Sequence, residues 1–224
     1  MNKKKLNPKP LSAEGQAKMM GRMKADPIMI LREHVVNGIE AIERHTAEMK
    51  NEGVPKSDAT LNPECLVEIR RDKLYPQKAV IANVGGDYIS PEIAANNLCS
   101  LGESGNTTSS FEGQQKDSNI GAGAKIATFG TFPTIIYRSK EAGVSGGKKY
   151  TLTFDSTGGS VEFEASEEDC DQEEFCVLGW QNSGTEVVFW GKDEEQDTWD
   201  ELNRVYISKR KTKVLSRDGQ TGNS

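Results

Sequence analysis

A chain of 224 residues, 35% apolar and 28% charged with a mean hydropathy of −0.63, is long enough for one sizeable core and polar enough to be a soluble protein. No apolar run approaches the roughly 20 residues that a membrane-crossing helix needs, and the basic start at Lys3, Lys4 and Lys5 leads into neither the apolar core nor the cleavage site of a secretory signal. A net charge of −6 argues against a general DNA-binding body, although the basic ends (Lys3 to Lys9, then Lys209, Arg210, Lys211, Lys213 and Arg217) leave nucleic acid open as a partner of the tails.

Cys65, Cys99, Cys170 and Cys176 lack close metal-type spacing, so the expectation is reduced thiols in a cytoplasmic protein. Residues 1–11, with Pro8 and Pro10, read as a flexible arm, and 12–24 as a short helix opened by Ser12. Asp26-Pro27 then restarts the chain as N-cap and first helical residue. The helix it opens is expected to reach about Lys50, with an apolar stripe of Ile28, Leu31, Val35, Ile39, Ile42 and Met49. On its other side Glu33, Asn37 and Glu40 fall close together, flanked by Met29 and Val36. Gly38 weakens such a helix by roughly 1 kcal/mol with no local reason visible in the sequence.

Strands are expected over 65–71 and 78–83, the second running into Val84-Gly85-Gly86-Asp87. Ser90-Pro91-Glu92 opens a short helix to Leu101. Residues 102–118 are polar and rich in glycine and serine, a length of loop that often serves as a lid. Next comes Asn119-Ile120-Gly121-Ala122-Gly123-Ala124-Lys125, where glycines before a helix start would bring backbone amides and a lysine charge to a phosphate. Beyond it, strands over 134–139, 149–155, 160–164, 175–181 and 185–190 are spaced for antiparallel hairpins, and 197–209 is expected to be helical. The remaining tail, 211–224, reads as disordered.

In this order of parts, residues 26–192 resemble the GHKL ATPases, the gyrase, heat-shock chaperone, histidine kinase and MutL group, with the MORC proteins close by. The match begins at Glu33-His34-Val35-Val36-Asn37-Gly38-Ile39-Glu40-Ala41 and continues at Asn83-Val84-Gly85-Gly86-Asp87. It then takes in Gly121-Ala122-Gly123-Ala124-Lys125, preceded by Ser104-Gly105, and ends at Gly184-Thr185-Glu186-Val187. The resemblance implies an α+β fold, a two-layer Bergerat-type sandwich whose mixed, mainly antiparallel sheet is covered by helices. The domain would occupy 26–192, with the arm and short helix over 1–25 before it and a helix and basic tail over 193–224 after it.

By the same resemblance Glu33 would be the catalytic base and Asn37 the Mg²⁺ ligand. Gly121, Gly123 and Lys125 would hold phosphate beside Ser104 of the lid, while Asn83, Gly85 and Thr185 would hold adenine. Residues four apart on a helix stand one turn apart, which puts base and metal ligand near one phosphate. ATP and Mg²⁺ are the implied cofactors, slow ATP hydrolysis driving a conformational switch is the implied activity, and a homodimer through the N-terminal region is the implied assembly. A non-catalytic nucleotide-binding or interaction module of the same fold is the alternative. Two positions depart from the family pattern: Asn83 stands where it has aspartate, and Asp87 where it has its final glycine. No phosphoacceptor helix of a histidine kinase is present in the sequence; His34 and His45 read as surface or partner-facing residues.

Overall fold

The computed structural model describes residues 4–6, 26–51, 66–98, 128–155, 162–191 and 195–208. The expected lid over 102–118, Ser104, and the motif residues Gly121, Gly123 and Lys125 lie outside the described residues, as do the short helix over 12–24 and the tail.

Helix α1 (Pro27–Asn51) opens as its sequence demands: Asp26 Oδ1 accepts the Ile28 amide at 3.0 Å. Strands β1 (Lys4–Leu6), β2 (Leu66–Arg71), β3 (Ala79–Val84), β4 (Thr134–Lys140), β5 (Gly147–Asp155), β6 (Glu162–Cys170) and β7 (Gly184–Trp190) form one sheet in the order β1-β6-β5-β4-β7-β3-β2. Every pairing among the described strands is antiparallel, where a mixed sheet was expected. A short helix, α2 (Pro91–Ile93), capped by Ser90 Oγ on the Ile93 amide at 3.2 Å, runs into a π-helical turn at Ala94–Leu98. Helix α3 (Thr198–Ser208) follows β7. The result is an α+β protein built on an open antiparallel sheet. Among the described residues no helix is long and apolar enough to cross a membrane.

The main core lies on one face of the sheet. Ile81, Ile135, Tyr150, Leu152 and Phe189 pack there with Ile30 and Leu31 of α1, Leu202 of α3, and Phe129 and Phe132. On the opposite face Val80, Ala82 and Val188 are covered by Cys176 and Val177. Period-two alternation along β3 and β7 therefore sends odd-numbered residues toward the helices and even-numbered ones away.

Several expectations change. Lys4–Leu6, read as part of a flexible arm, is an edge strand on β6. The strand expected over 160–164 runs on through the acidic stretch to Cys170 as β6, where β5 sets lysines opposite it: Lys148 Nζ lies 2.7 Å from Asp169, and Lys149 Nζ lies 3.2 Å from Glu168. Conversely, residues 175–181 form no strand. Their amides at Cys176, Val177 and Leu178 donate to the buried Glu186 carboxylate at 2.9, 2.6 and 2.9 Å, so a side chain replaces the ladder.

The buried stripe of α1 is also rotated from the expected one. Ile30, Leu31, His34, Gly38 and Ala41 face inward, while Ile39 is exposed. His34, expected at the surface, is buried with Nε2 2.8 Å from Thr128 Oγ1 and its ring edge-on to Phe189 at 4.9 Å. Burial alone pushes its pKa down to about 3, so the ring is neutral. Cys170 and Cys176 are free thiols, and burial pushes Cys170 up to about 12.

Candidate functional site

Gly38 has a local reason after all. A β-carbon there would stand 3.0 Å from Val67 Cγ2 and 3.4 Å from Asn83 Cβ, so its absence lets α1 settle onto the ends of β2 and β3. Other glycines close on the same residue. A β-carbon on Gly86 would collide with Asn83 Oδ1, and one on Gly184 would collide with the Asn83 backbone oxygen and reach within 3.1 Å of Oδ1. Asn83 is thus enclosed by backbone from α1, from the turn after β3 and from the start of β7.

The strand register fixes what it meets. Asn83 pairs with Thr185 across β3 and β7, and Thr185 pairs with Ser139 across β7 and β4, lining these side chains along the helix-facing side of the sheet. The Thr185 amide donates to Asn83 Oδ1 at 3.1 Å. Ser139 Oγ donates to the Gly184 carbonyl at 3.0 Å and accepts from the Ile89 amide at 2.9 Å. Ser139 Oγ also lies 2.8 Å from Thr185 Oγ1, which itself reaches the Asp87 carbonyl at 3.4 Å. Asn83, Ser139 and Thr185 are all buried. Ser139 was not foreseen; a serine late in an apolar strand carries no signal until the register places it beside Thr185.

The turn after β3 is held from several sides. The Gly85 amide donates to the Ser183 carbonyl at 2.9 Å, and the Tyr150 hydroxyl donates to the Ile89 carbonyl at 2.8 Å. Asp87 pairs with Arg44 of α1 at 2.9 Å and lies 3.6 Å from His45 Nδ1, so it ties this turn to the helix. On α1 itself the Glu33 carboxylate is partly buried and 3.1 Å from the Arg32 guanidinium, and Asn37 is exposed beside Gly38.

Asn83, Gly85 and Thr185 are therefore brought together, with the helix of Glu33 and Asn37 lying against them. Asn37 fits a Mg²⁺ role in kind: an exposed amide oxygen is a hard donor, and such an ion needs few protein ligands when phosphates supply the rest. The base end fits less well. Aspartate would offer a charged acceptor for an adenine amino group, whereas the Asn83 oxygen is neutral and already accepts one bond, from the Thr185 amide. Against known proteins, the chain matches no family model and no curated sequence.

Directly behind this line of residues, facing the other way, is a structural centre. Arg138 donates to Asp72 at 2.7 Å and lies 3.6 Å from Glu186, all with buried side chains. Burial works against the Arg138 charge, but the neighbouring Asp72 and then Glu186 outweigh it and hold the guanidinium above its usual pKa. Asp72 also accepts the Leu74 and Tyr75 amides, each at 2.8 Å.

Proposed function

We propose that this chain is a nucleoside-triphosphate-binding domain of the Bergerat type, a conformational switch with slow Mg²⁺-dependent hydrolysis, ATP being the ligand that the likeness to GHKL ATPases implies. The observation that supports the reading is the meeting of remote motif segments at Asn83: α1 through Gly38, the Gly85-Gly86 turn, and the Gly184-Thr185 strand start. Glycines at these places have a packing explanation of their own. What packing does not by itself explain is a line of polar side chains, Asn83, Thr185 and Ser139, on the helix-facing side of the sheet, under a helix that carries a glutamate and an asparagine one turn apart.

In this reading Glu33 takes the proton of the attacking water, with Arg32 orienting its carboxylate. Asn37 offers its side-chain oxygen to Mg²⁺, which neutralises phosphate charge when bound. Asn83 and Thr185 bind the base. The test is equilibrium binding and hydrolysis of purine nucleoside triphosphates with Mg²⁺. Glu33→Ala is expected to keep binding and lose about 100-fold or more in turnover. Equal rates in both proteins would remove Glu33 from this role, and no binding at millimolar nucleotide would defeat the reading. The second reading, a non-catalytic module of the same fold, is favoured by the neutral Asn83. It predicts binding without any turnover that depends on Glu33.

A further inference from the structure

We propose that β2 is the pairing edge of a symmetric dimer, joined antiparallel to β2 of a second copy of this chain about an axis at Ile69. The proposal does not depend on the nucleotide reading, and it uses the edge of the sheet opposite to β1.

Among the described strands β2 is the last of the sheet, and the ladder fixes which of its backbone groups face outward. The Asp72 amide donates to the Lys78 carbonyl at 2.8 Å, one step beyond the Arg71–Ala79 pair. Bonded pairs alternate along an antiparallel ladder. Leu66, Glu68 and Arg70 therefore turn their backbone groups to β3, while Val67, Ile69 and Arg71 turn theirs outward. The neighbouring bonds agree. On β3 the odd residues turn the other way, toward β7: the Ala79 amide meets Thr198 Oγ1, which is bonded to the Phe189 carbonyl, and the Gly85 amide just beyond the strand meets Ser183. The Arg71 carbonyl is met by Cys176 Sγ at 3.2 Å and not by β3. Outward amides and carbonyls at alternate positions are a template for a further strand.

The side chains select the partner and the register. Charges on an edge strand ordinarily repel a second strand, but the order Glu68-Ile69-Arg70 is complementary to itself when reversed. Outward groups must face outward groups, so a second β2 can be centred on Glu68, Ile69 or Arg70 but not between them. Centring on Glu68 or on Arg70 sets that charge directly against its own copy, which is destabilising. Centring on Ile69 sets Glu68 opposite the partner subunit's Arg70, and Arg70 opposite the partner subunit's Glu68. These are the non-bonded pairs, in which opposed side chains stand closest. Both side chains lie on the face away from the helices and are 31% and 47% exposed, so they are free to meet a partner. Their contact within one chain, 3.4 Å between Arg70 Nη1 and Glu68 Oε1, is an exposed pair that costs little to exchange. On the helix side the same register brings Ile69 against its copy, and Val67 and Ile69 are only partly buried in a single chain.

The experiment is sedimentation equilibrium of the full chain, at concentrations up to about 100 μM, with Glu68→Arg, Arg70→Glu and the double variant that exchanges the two charges. The expected mass is that of two chains. Either single substitution is expected to weaken the dimer about tenfold or more, and the double variant to return toward the parent value. A mass of one chain at every concentration overturns the proposal, and that measurement needs no variant. A dimer that neither single substitution weakens also overturns it, because the contact then lies elsewhere, the N-terminal region included. So does a double variant, folded by circular dichroism, that is no more dimeric than the single ones. If a single variant fails to fold, the parent and the double variant still decide.

Discussion

Thr185 donates its amide hydrogen to the side-chain oxygen of Asn83, 102 positions earlier, across a strand pair in which the two residues are directly opposed. The bond joins β3 to the start of β7 beside the point where α1 packs on the sheet through Gly38. One side chain therefore closes the end of the sheet and is the one to which base binding is proposed. A substitution that tests ligand recognition here must keep the oxygen that Thr185 requires.

Asn83→Ala is expected to lose about 1–3 kcal/mol of stability, because the buried Thr185 amide is left without an acceptor. Asn83→Asp keeps an oxygen in the same place and is expected to lose less than Asn83→Ala. Urea denaturation of the two variants decides it: equal losses would mean that the bond contributes nothing beyond side-chain packing.

Much of the architecture can be read in the chain, and the gaps have physical causes. Asp26-Pro27 announces α1 because N-cap chemistry is local, and the hairpin strands announce themselves by alternation. The buried side of α1 is misjudged because counting large apolar residues selects Ile39, whereas close approach to the sheet selects Gly38 and Ala41. Residues 175–181 carry an apolar run that reads as a strand, yet amides within it find a carboxylate supplied by Glu186, and no local pattern signals such a partner. At the site, the type of residue 83 is plain in the sequence, but the bond from the Thr185 amide to its oxygen is not. That is a long-range fact.

Gly184→Ala is expected to be the more damaging of two glycine substitutions. Its φ of 143° lies where side chains are disfavoured, and the added carbon meets the backbone oxygen of Asn83 in the adjoining strand. A loss of at least about 3 kcal/mol is expected. Gly86→Ala meets the end of the Asn83 side chain, which can rotate away by giving up its bond to Thr185, and comes within 3.3 Å of Ala41 Cβ, for about 1–3 kcal/mol. Chemical denaturation gives both values; a Gly86→Ala loss equal to that of Gly184→Ala would contradict the distinction.

Glu186 faces away from the candidate site and acts on the other side of the sheet. It accepts the amides of Cys176, Val177 and Leu178 and stands beside Arg138. Glu186→Ala leaves those donors buried and Arg138 with Asp72 alone, and a loss of about 3–5 kcal/mol is expected. Glu186→Gln keeps one accepting oxygen and is expected to lose less. Thermal and urea unfolding measure both, and a Glu186→Ala protein within about 1 kcal/mol of the parent would show that the carboxylate only fills space.

His34 makes stability depend on pH in a definite direction. Its pKa falls from 6.5 to about 3 on folding, so between those values the unfolded chain binds a proton that the folded protein refuses. Stability from this group is complete above pH 6.5 and declines as pH falls, by about 1.4 kcal/mol per unit. Between pH 7.5 and pH 5 the loss is about 2 kcal/mol. The carboxylates held low by lysine partners, Asp169 and Glu174, have ordinary values of 3.8 and 4.5, so their own losses belong mainly below this interval. His34→Gln keeps a polar partner for Thr128 without a group that titrates in this range. Urea denaturation at pH 7.5 and pH 5 is expected to show a difference about 2 kcal/mol smaller in the variant than in the parent. The same difference in both would mean that the imidazole protonates in place, and that its burial against Phe189 does not keep it neutral.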